Sequence, residues 1–220
     1  IDTGAYPAHE TVRHATFIAA VTGQSVVPAA PVITWRDHAP PANITRPYAV
    51  LNPGSNEYGR RWPLAEYVAL ASWLRAQGLR VVFVGKADEK ARDDMLAPLR
   101  EDEGVADMTG QSTLPELLDI MKGAALVISN DTGPAHVAIA LGTKTVVIVG
   151  GGHFGCFVPY PDGVAPGHAR FVYERMDCYH CFWRCHKRDD PKASFPCVAA
   201  VSMDKVQMAC TALLDLGDSS

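Results

Sequence analysis

"ISNDTGPAHVAIALGTKTVVIVGGGHFG", residues 128–155, decides the fold. It opens on the end of one apolar run, "ALVISN" (125–130), and contains a second, "TKTVVIVG" (143–150). Both read as continuous buried strands of the parallel-sheet kind. Between them lies a short helix, "GPAHVAIALG" (133–142). An acid, a hydroxyl and a glycine stand where that helix begins. A helix N-terminus presents free N–H groups and a partial positive charge, so it is a site for a diphosphate. Asp131 or Thr132 is expected to cap the helix, Gly133 to let a ligand approach the backbone, and His136 to face the strand ends with Asp131. The bland alternative is a simple N-cap with a core histidine. A cap alone does not require Gly-Pro and His as well. "GGGH" (150–153) adds a further glycine-rich strand end, a weaker signal because glycines also serve tight turns.

Working outward, strands and helices continue to alternate. "YAVLN" (48–52) and "LRVVFVG" (79–85) read as strands, with "RFVYE" (170–174) as the last. Helices are expected over 63–78, with Pro63 in the first turn and Gly78 as the stop. Others are expected over the charged segment 87–99, over 113–124 with Thr113 or Ser112 as cap, and over 202–216. The fold class is α/β, a doubly wound, mostly parallel, Rossmann-like sheet. Residues 10–23 carry a helical pattern closed by Gly23, and the proline- and alanine-rich residues 24–46 read as a connector with at most one short strand. In such a sheet, ligands bind beyond the carboxyl ends of the strands. The loops that follow strands are therefore read as one site.

"NPGSNEYGRRWP" (52–63) follows the first of these strands. Gly54 and Ser55 can offer N–H groups and a hydroxyl to phosphate, and Arg60 and Arg61 add charge in a fork that suits phosphate oxygens. A surface turn with solvated arginines is the alternative. "VGKADEKAR" (84–92) follows the next strand. Glu89, with Asp88 in reserve, is the candidate for ribose hydroxyls; an acidic first helical turn is the alternative. The dinucleotide and P-loop glycine signatures are missing, as is the hydrolase nucleophile elbow.

The 220 residues carry a formal net charge of −4, with 48% hydrophobic and 20% charged residues. That composition is globular and speaks against affinity built on neutralising nucleic-acid phosphates. No apolar run is long enough to span a bilayer. The opening residues lack the basic start and apolar core of a signal peptide. The expected location is the cytoplasm, with peripheral contact at the inner face of a membrane left open.

Taken in order, "NPGSNEYGRRWP", "VGKADEKAR", "SNDTGPAHVAIALGT" and "GGGHFG" resemble the C-terminal half of glycosyltransferase family 9, the bacterial heptosyltransferases of lipopolysaccharide assembly. The resemblance covers roughly residues 47–215. It implies one lobe of the GT-B architecture: residues 1–46 as the end of the N-terminal lobe with the interdomain connector, and 47–220 as the nucleotide-sugar-binding domain. It further implies an inverting, metal-independent enzyme that transfers heptose from a nucleotide-diphosphate donor such as ADP-heptose. The acceptor would be a glycan, a lipid-linked saccharide or a protein. Carried over by position, Ser55 and Arg60 meet the donor phosphates, Glu89 the ribose, and Asp131, Thr132, Gly133 and His136 the diphosphate and sugar. The family usually carries lysine where Arg60 stands. Its general base belongs to the N-terminal lobe, so no catalytic residue is assigned here, and this chain is expected to be the donor-binding part of a longer enzyme. A GT-B-like epimerase and a non-catalytic nucleotide-sugar-binding domain are the rival readings.

"DCYHCFWRCHKRDDPKASFPC" (177–197) remains. Cys178, Cys181, Cys185 and Cys197 have spacings that suit one tetrahedral site, with His180 and His186 as spare ligands. Zinc is the default, and iron is credible by resemblance to iron-bearing heptosyltransferases. Such a metal would brace the loop rather than take part in catalysis. Reduced thiols or disulfides are the alternatives.

Overall fold

The computed structural model describes residues 2–36, 40, 41, 44–88, 96, 99 and 101–214. Six strands form one all-parallel sheet: β1 (Tyr48–Asn52), β2 (Arg80–Phe83), β3 (Val105–Asp107), β4 (Leu126–Asn130), β5 (Thr145–Ile148) and β6 (Ala169–Val172). Their order is β3-β2-β1-β4-β5-β6, so the winding reverses between β1 and β4. The helices are α1 (Glu10–Thr22), α2 (Leu64–Ala76), α3 (Leu114–Gly123), α4 (Gly133–Ala140), α5 (Pro196–Ala199) and α6 (Met203–Leu214), with a 3-10 turn at Tyr58–Arg60.

Alternation along the strands covers the sheet on both faces. Ala49, Leu51, Val81, Phe83 and Ile128 point to the α2 and α6 side, where Tyr67, Leu70, Ala71, Leu74, Val206, Cys210 and Leu213 close the core. Tyr48, Val50, Val82 and Val127 point the other way, onto Ile120 and Met121 of α3 and Ala138 of α4. Each large side chain so buried contributes roughly 1.5–3 kcal/mol. The short β3 and α5 were not anticipated. β3 is only partly buried and lacks the apolar run that marks the central strands. Among the described residues the connector contains no strand, although Ile33 N–H donates to the Ala140 carbonyl at 2.8 Å. Most of the expected charged helix at 87–99 lies outside the described residues.

The helix ends follow their sequence signals. Gly23 (φ 71°) and Gly78 (φ 83°) take the left-handed conformation that stops α1 and α2. Thr113 and Glu116 form a reciprocal capping box, the Thr113 N–H donating to Glu116 Oε2 at 2.7 Å. Such a box is worth about 1 kcal/mol, and it sets the start of α3 at the carboxyl-end rim of the sheet. Among the described residues no helix is long and apolar enough to cross a membrane.

α1 is docked to the loop after β5. The Glu10 N–H donates to the Cys156 carbonyl at 2.8 Å. The buried His9 caps the helix: its Nδ1 accepts from the Thr11 N–H, while Nε2 donates to the Phe157 carbonyl at 2.7 Å. The first of these contacts needs the neutral ring, since a protonated Nδ1 cannot accept. Burial, the largest effect, holds the His9 pKa below its ordinary value. The unfolded chain therefore takes up this proton first, and stability is lost as pH falls through about 6.5 towards the depressed folded pKa. Replacing His9 by Gln removes that titration. The difference in urea midpoint between wild type and His9→Gln is expected to narrow between pH 7.5 and 5. A constant difference would show that His9 titrates as in the unfolded chain.

Candidate functional site

The carboxyl ends of β1, β2 and β4 open onto a cleft of about 660 Å³ at the point where the winding reverses. One end is polar and is lined by Ser55, Asn56, Arg60, Thr132 and Gly133; the other is lined by Val84, Ala87, Leu114 and Leu117.

Asn130, fully buried at the end of β4, assembles the polar end. Its Oδ1 accepts from the Trp62 N–H at 3.0 Å and from the Tyr67 hydroxyl at 3.2 Å. Its Nδ2 donates to the carbonyls of Pro53 at 2.9 Å and Gly54 at 3.3 Å. One amide thus joins β4, the loop after β1 and the first half of α2. Asn52 makes a second tie, donating to Ser129 Oγ at 2.9 Å and Thr132 Oγ1 at 3.2 Å. Sequence reasoning gave neither asparagine a role. The available signal was a polar residue closing each of two otherwise apolar strands.

Ser55 is buried, and among the described residues its Oγ has no hydrogen-bond partner. The neighbouring Arg61 is structural: its Nε and Nη2 donate to the Ser55 carbonyl at 2.9 and 2.6 Å, locking the loop. Arg60 points inward. Its Nη2 donates to the Asp131 carbonyl and lies 3.4 Å from Asp131 Oδ2, while its buried Nε has no partner among the described residues. A buried donor or acceptor left unpaired costs about 1–3 kcal/mol. Two such groups at one cleft therefore require an explanation.

α4 departs from expectation, since neither Asp131 nor Thr132 caps it. No side chain makes a cap hydrogen bond there. The Thr132 hydroxyl turns back to the Asn130 carbonyl at 3.2 Å. The Asp131 carboxylate is held between Arg60 and His136, whose Nε2 lies 3.5 Å from Asp131 Oδ1. The positive end of α4 is left uncapped at the cleft, and a Cβ built on Gly133 would meet only open space.

Ser55, Arg60, Thr132 and Gly133 thus converge on one cleft, with Asp131 behind Arg60. His136 instead lines a neighbouring groove of about 440 Å³ against α1, together with His9, His14 and Tyr160. Glu89 lies outside the described residues. Lys86 was not anticipated: it stands at the cleft and donates to Asn56 Oδ1 at 2.7 Å.

The triple glycine is not a wall of the cleft. A Cβ on Gly151 would come within 2.4 Å of Tyr179, and one on Gly152 within 2.2 Å of Trp183. These glycines admit the rings of the cysteine-rich loop, and the Gly151 and Gly152 carbonyls accept from the N–H groups of His180 at 2.7 Å and Phe182 at 3.0 Å. That loop is also tied to the loop after β1. The Phe195 N–H donates to the Gly59 carbonyl at 2.7 Å, Ser194 Oγ to the Arg61 carbonyl at 2.6 Å, and Arg188 pairs with Glu57 at 3.2 Å.

The zinc or iron expected on Cys178, Cys181, Cys185 and Cys197 finds no formed centre. Among the described residues no three His, Cys, Asp or Glu side chains are placed to hold a metal. The loop packs through its rings rather than its sulfurs. Cys197 is buried and accepts from the Gly151 N–H at 3.4 Å, and all four thiols are free. Burial pushes the Cys197 and Cys181 thiols up, and the neighbouring thiols add to it.

The model of glycosyltransferase family 9 (heptosyltransferase) matches residues 26–165. Lipooligosaccharide heptosyltransferase 2 of Haemophilus influenzae is 32% identical over 110 residues, which are 48% of this chain and 32% of that protein. The chain therefore spans about a third of the length of this curated relative. Among solved structures, the Escherichia coli ADP-heptose LPS heptosyltransferase II superposes with a TM-score of 0.65 at 22% identity, covering 79% of this chain and 48% of that one. The dodecameric iron-containing heptosyltransferase TibC in complex with ADP-D-beta-D-heptose gives 0.59 at 18% identity, covering 94% and 52%. These two likenesses show the fold, a doubly wound all-parallel α/β sheet.

The Asn130 junction yields a prediction. Asn130→Ala leaves the Trp62 N–H and the Pro53 and Gly54 carbonyls without their partner. It is expected to cost about 2–4 kcal/mol in urea unfolding. A loss below about 0.5 kcal/mol would show that the junction is held by other means.

Proposed function

The chain belongs to glycosyltransferase family 9, and from that membership we propose that it forms the donor lobe of a heptosyltransferase and holds a nucleotide-diphosphate sugar, ADP-heptose foremost, in the cleft at the β1–β4 switch point. Residues 47–220 are the donor-binding domain in this reading, and residues 1–46 the end of the other lobe with its connector. The acceptor is a lipopolysaccharide or lipooligosaccharide, as the names of the relatives suggest. The observation that carries the proposal is the pair of buried, unpartnered groups, Ser55 Oγ and Arg60 Nε, at a cleft under an uncapped helix start.

The diphosphate lies against Ser55, Arg60 and the N-terminus of α4. The base lies at the apolar end, where Leu114 is 67% exposed and so offers a bare surface to cover. The chemistry is displacement at the anomeric carbon: the acceptor oxygen forms the new bond, and the bond to the diphosphate breaks. Negative charge grows on the departing phosphate. It is met by the Arg60 guanidinium and the α4 N–H groups, fixed in advance of the reaction. Asp131 stays clear of that charge because Arg60 and His136 hold its carboxylate. The reading assigns no metal to the cysteines and no general base to these residues; the acid that activates the acceptor comes from the other lobe. An epimerase or a non-catalytic domain would hold the same ligand, and transfer of radiolabelled heptose by the full-length enzyme distinguishes transferase from both.

Calorimetry with ADP tests the binding half. Arg60→Ala is expected to weaken binding by about 1.5–3 kcal/mol, the scale of a charge-assisted hydrogen bond. Ser55→Ala removes a hydroxyl that has no partner among the described residues, so it should leave the melting temperature unchanged or slightly raised while still weakening ADP binding. Equal affinities for wild type and Arg60→Ala would reject the site.

A further inference from the structure

We infer that Trp183, in the cysteine-rich loop, is a positioning residue for the donor site: its indole holds the Arg60 guanidinium in place over the cleft. The inference rests on the diphosphate reading of that cleft. The Arg60 Cζ lies 4.6 Å from the Trp183 ring centroid, within reach of a cation–π interaction. Among the described residues Arg60 is otherwise fastened only through one terminal nitrogen, to Asp131, and its Nε is unpartnered. The ring therefore restrains the remaining freedom of the guanidinium plane.

The indole is itself closely fixed. It stacks on the buried Phe195 with centroids 5.6 Å apart and planes 22° from parallel. Gly152 leaves the space it occupies, since a Cβ there would meet its Cδ2 at 2.2 Å. The backbone that presents it is strained. His180, Phe182 and Trp183 all take positive φ, at 67°, 53° and 62°. Left-handed backbone is unfavourable for a residue with a Cβ, which there crowds the following carbonyl oxygen. Such strain persists where surrounding contacts fix it, and it gathers at functional sites. Here the fixing contacts are the His180 and Phe182 hydrogen bonds to Gly151 and Gly152. A loop that only had to fill space over a sheet end would not need to turn this ring toward the one arginine that, among the described residues, lines the cleft.

The test is ADP calorimetry on the 220-residue chain in a double-mutant cycle, with melting curves as the check of folding. Trp183→Leu is expected to weaken ADP binding about fivefold, and Trp183→Phe, which keeps an aromatic face, to stay within about twofold. In an Arg60→Gln background, Trp183→Leu should add no further loss. Gly152→Ala leaves Trp183 in the chain but displaces its ring. It should reproduce the Leu loss, and with the Phe variant it carries the test if Trp183→Leu melts without cooperativity. Unchanged binding in Trp183→Leu, or the same fold-loss with and without Arg60, would overturn the positioning role while leaving the donor reading intact. Failure of the wild-type chain to bind ADP at millimolar concentration would overturn both.

Discussion

The side-chain amide of Asn130 is the constraint on which the donor cleft depends. β4 ends there, and its last side chain is turned into the protein rather than toward solvent. Its oxygen takes the Trp62 N–H and the Tyr67 hydroxyl, and its nitrogen gives to the Pro53 and Gly54 carbonyls. An amide is suited to this place because it both accepts and donates along one planar group. A carboxylate would face two carbonyls, and an apolar residue would leave the Trp62 N–H and the Pro53 and Gly54 carbonyls buried without their partner. With the amide in place, the Gly54–Ser55 turn and the start of α4 are held at a fixed separation. That separation sets the width of the polar end of the cleft.

Charge is distributed around that end with some economy. The positive end of α4 amounts to roughly half a charge. Arg60 brings a full one, and Lys86 another at the rim. Asp131 offsets part of this from behind, sharing its carboxylate between Arg60 and His136. A second consequence is that His136 is turned away from the cleft and into the groove beside α1. The Asp131 carboxylate therefore links one residue of each opening, Arg60 of the cleft and His136 of the groove.

Much of this was legible in the sequence because its signals are local. Apolar runs give the four central strands, and Pro63, Gly78, Thr113 and Gly23 give helix ends through backbone preferences that need no tertiary partner. Ser55, Arg60, Thr132 and Gly133 could be grouped because each follows a strand of a parallel sheet. What failed to show depends on contacts between distant segments. The triple glycine looked like a ligand loop because glycine reports only that something comes close. Here the close neighbours are Tyr179 and Trp183, which lie far along the chain. The cysteine spacing suggested a metal, yet the loop is packed by its rings. Thr132 stands at the N-cap position but spends its hydroxyl on the Asn130 carbonyl, a choice set by Asn52 and invisible in the local pattern. β3 is short and half-covered, so no apolar run announces it.

The ties between the loop after β1 and the cysteine-rich segment bear on how the protein can be engineered. Gly59, Arg61 and Glu57 on one side are bonded to Phe195, Ser194 and Arg188 on the other. The fit is close: a Cβ on Gly59 would lie 2.4 Å from Arg188 and 2.7 Å from Phe195. Neither segment can be exchanged alone for a homologous loop of different length, because the loop after β1 supplies the acceptors and the space that the donors and ring of the cysteine-rich segment need. A chimaera built to change donor preference must transplant residues 57–62 and 177–197 together, as one discontinuous cassette.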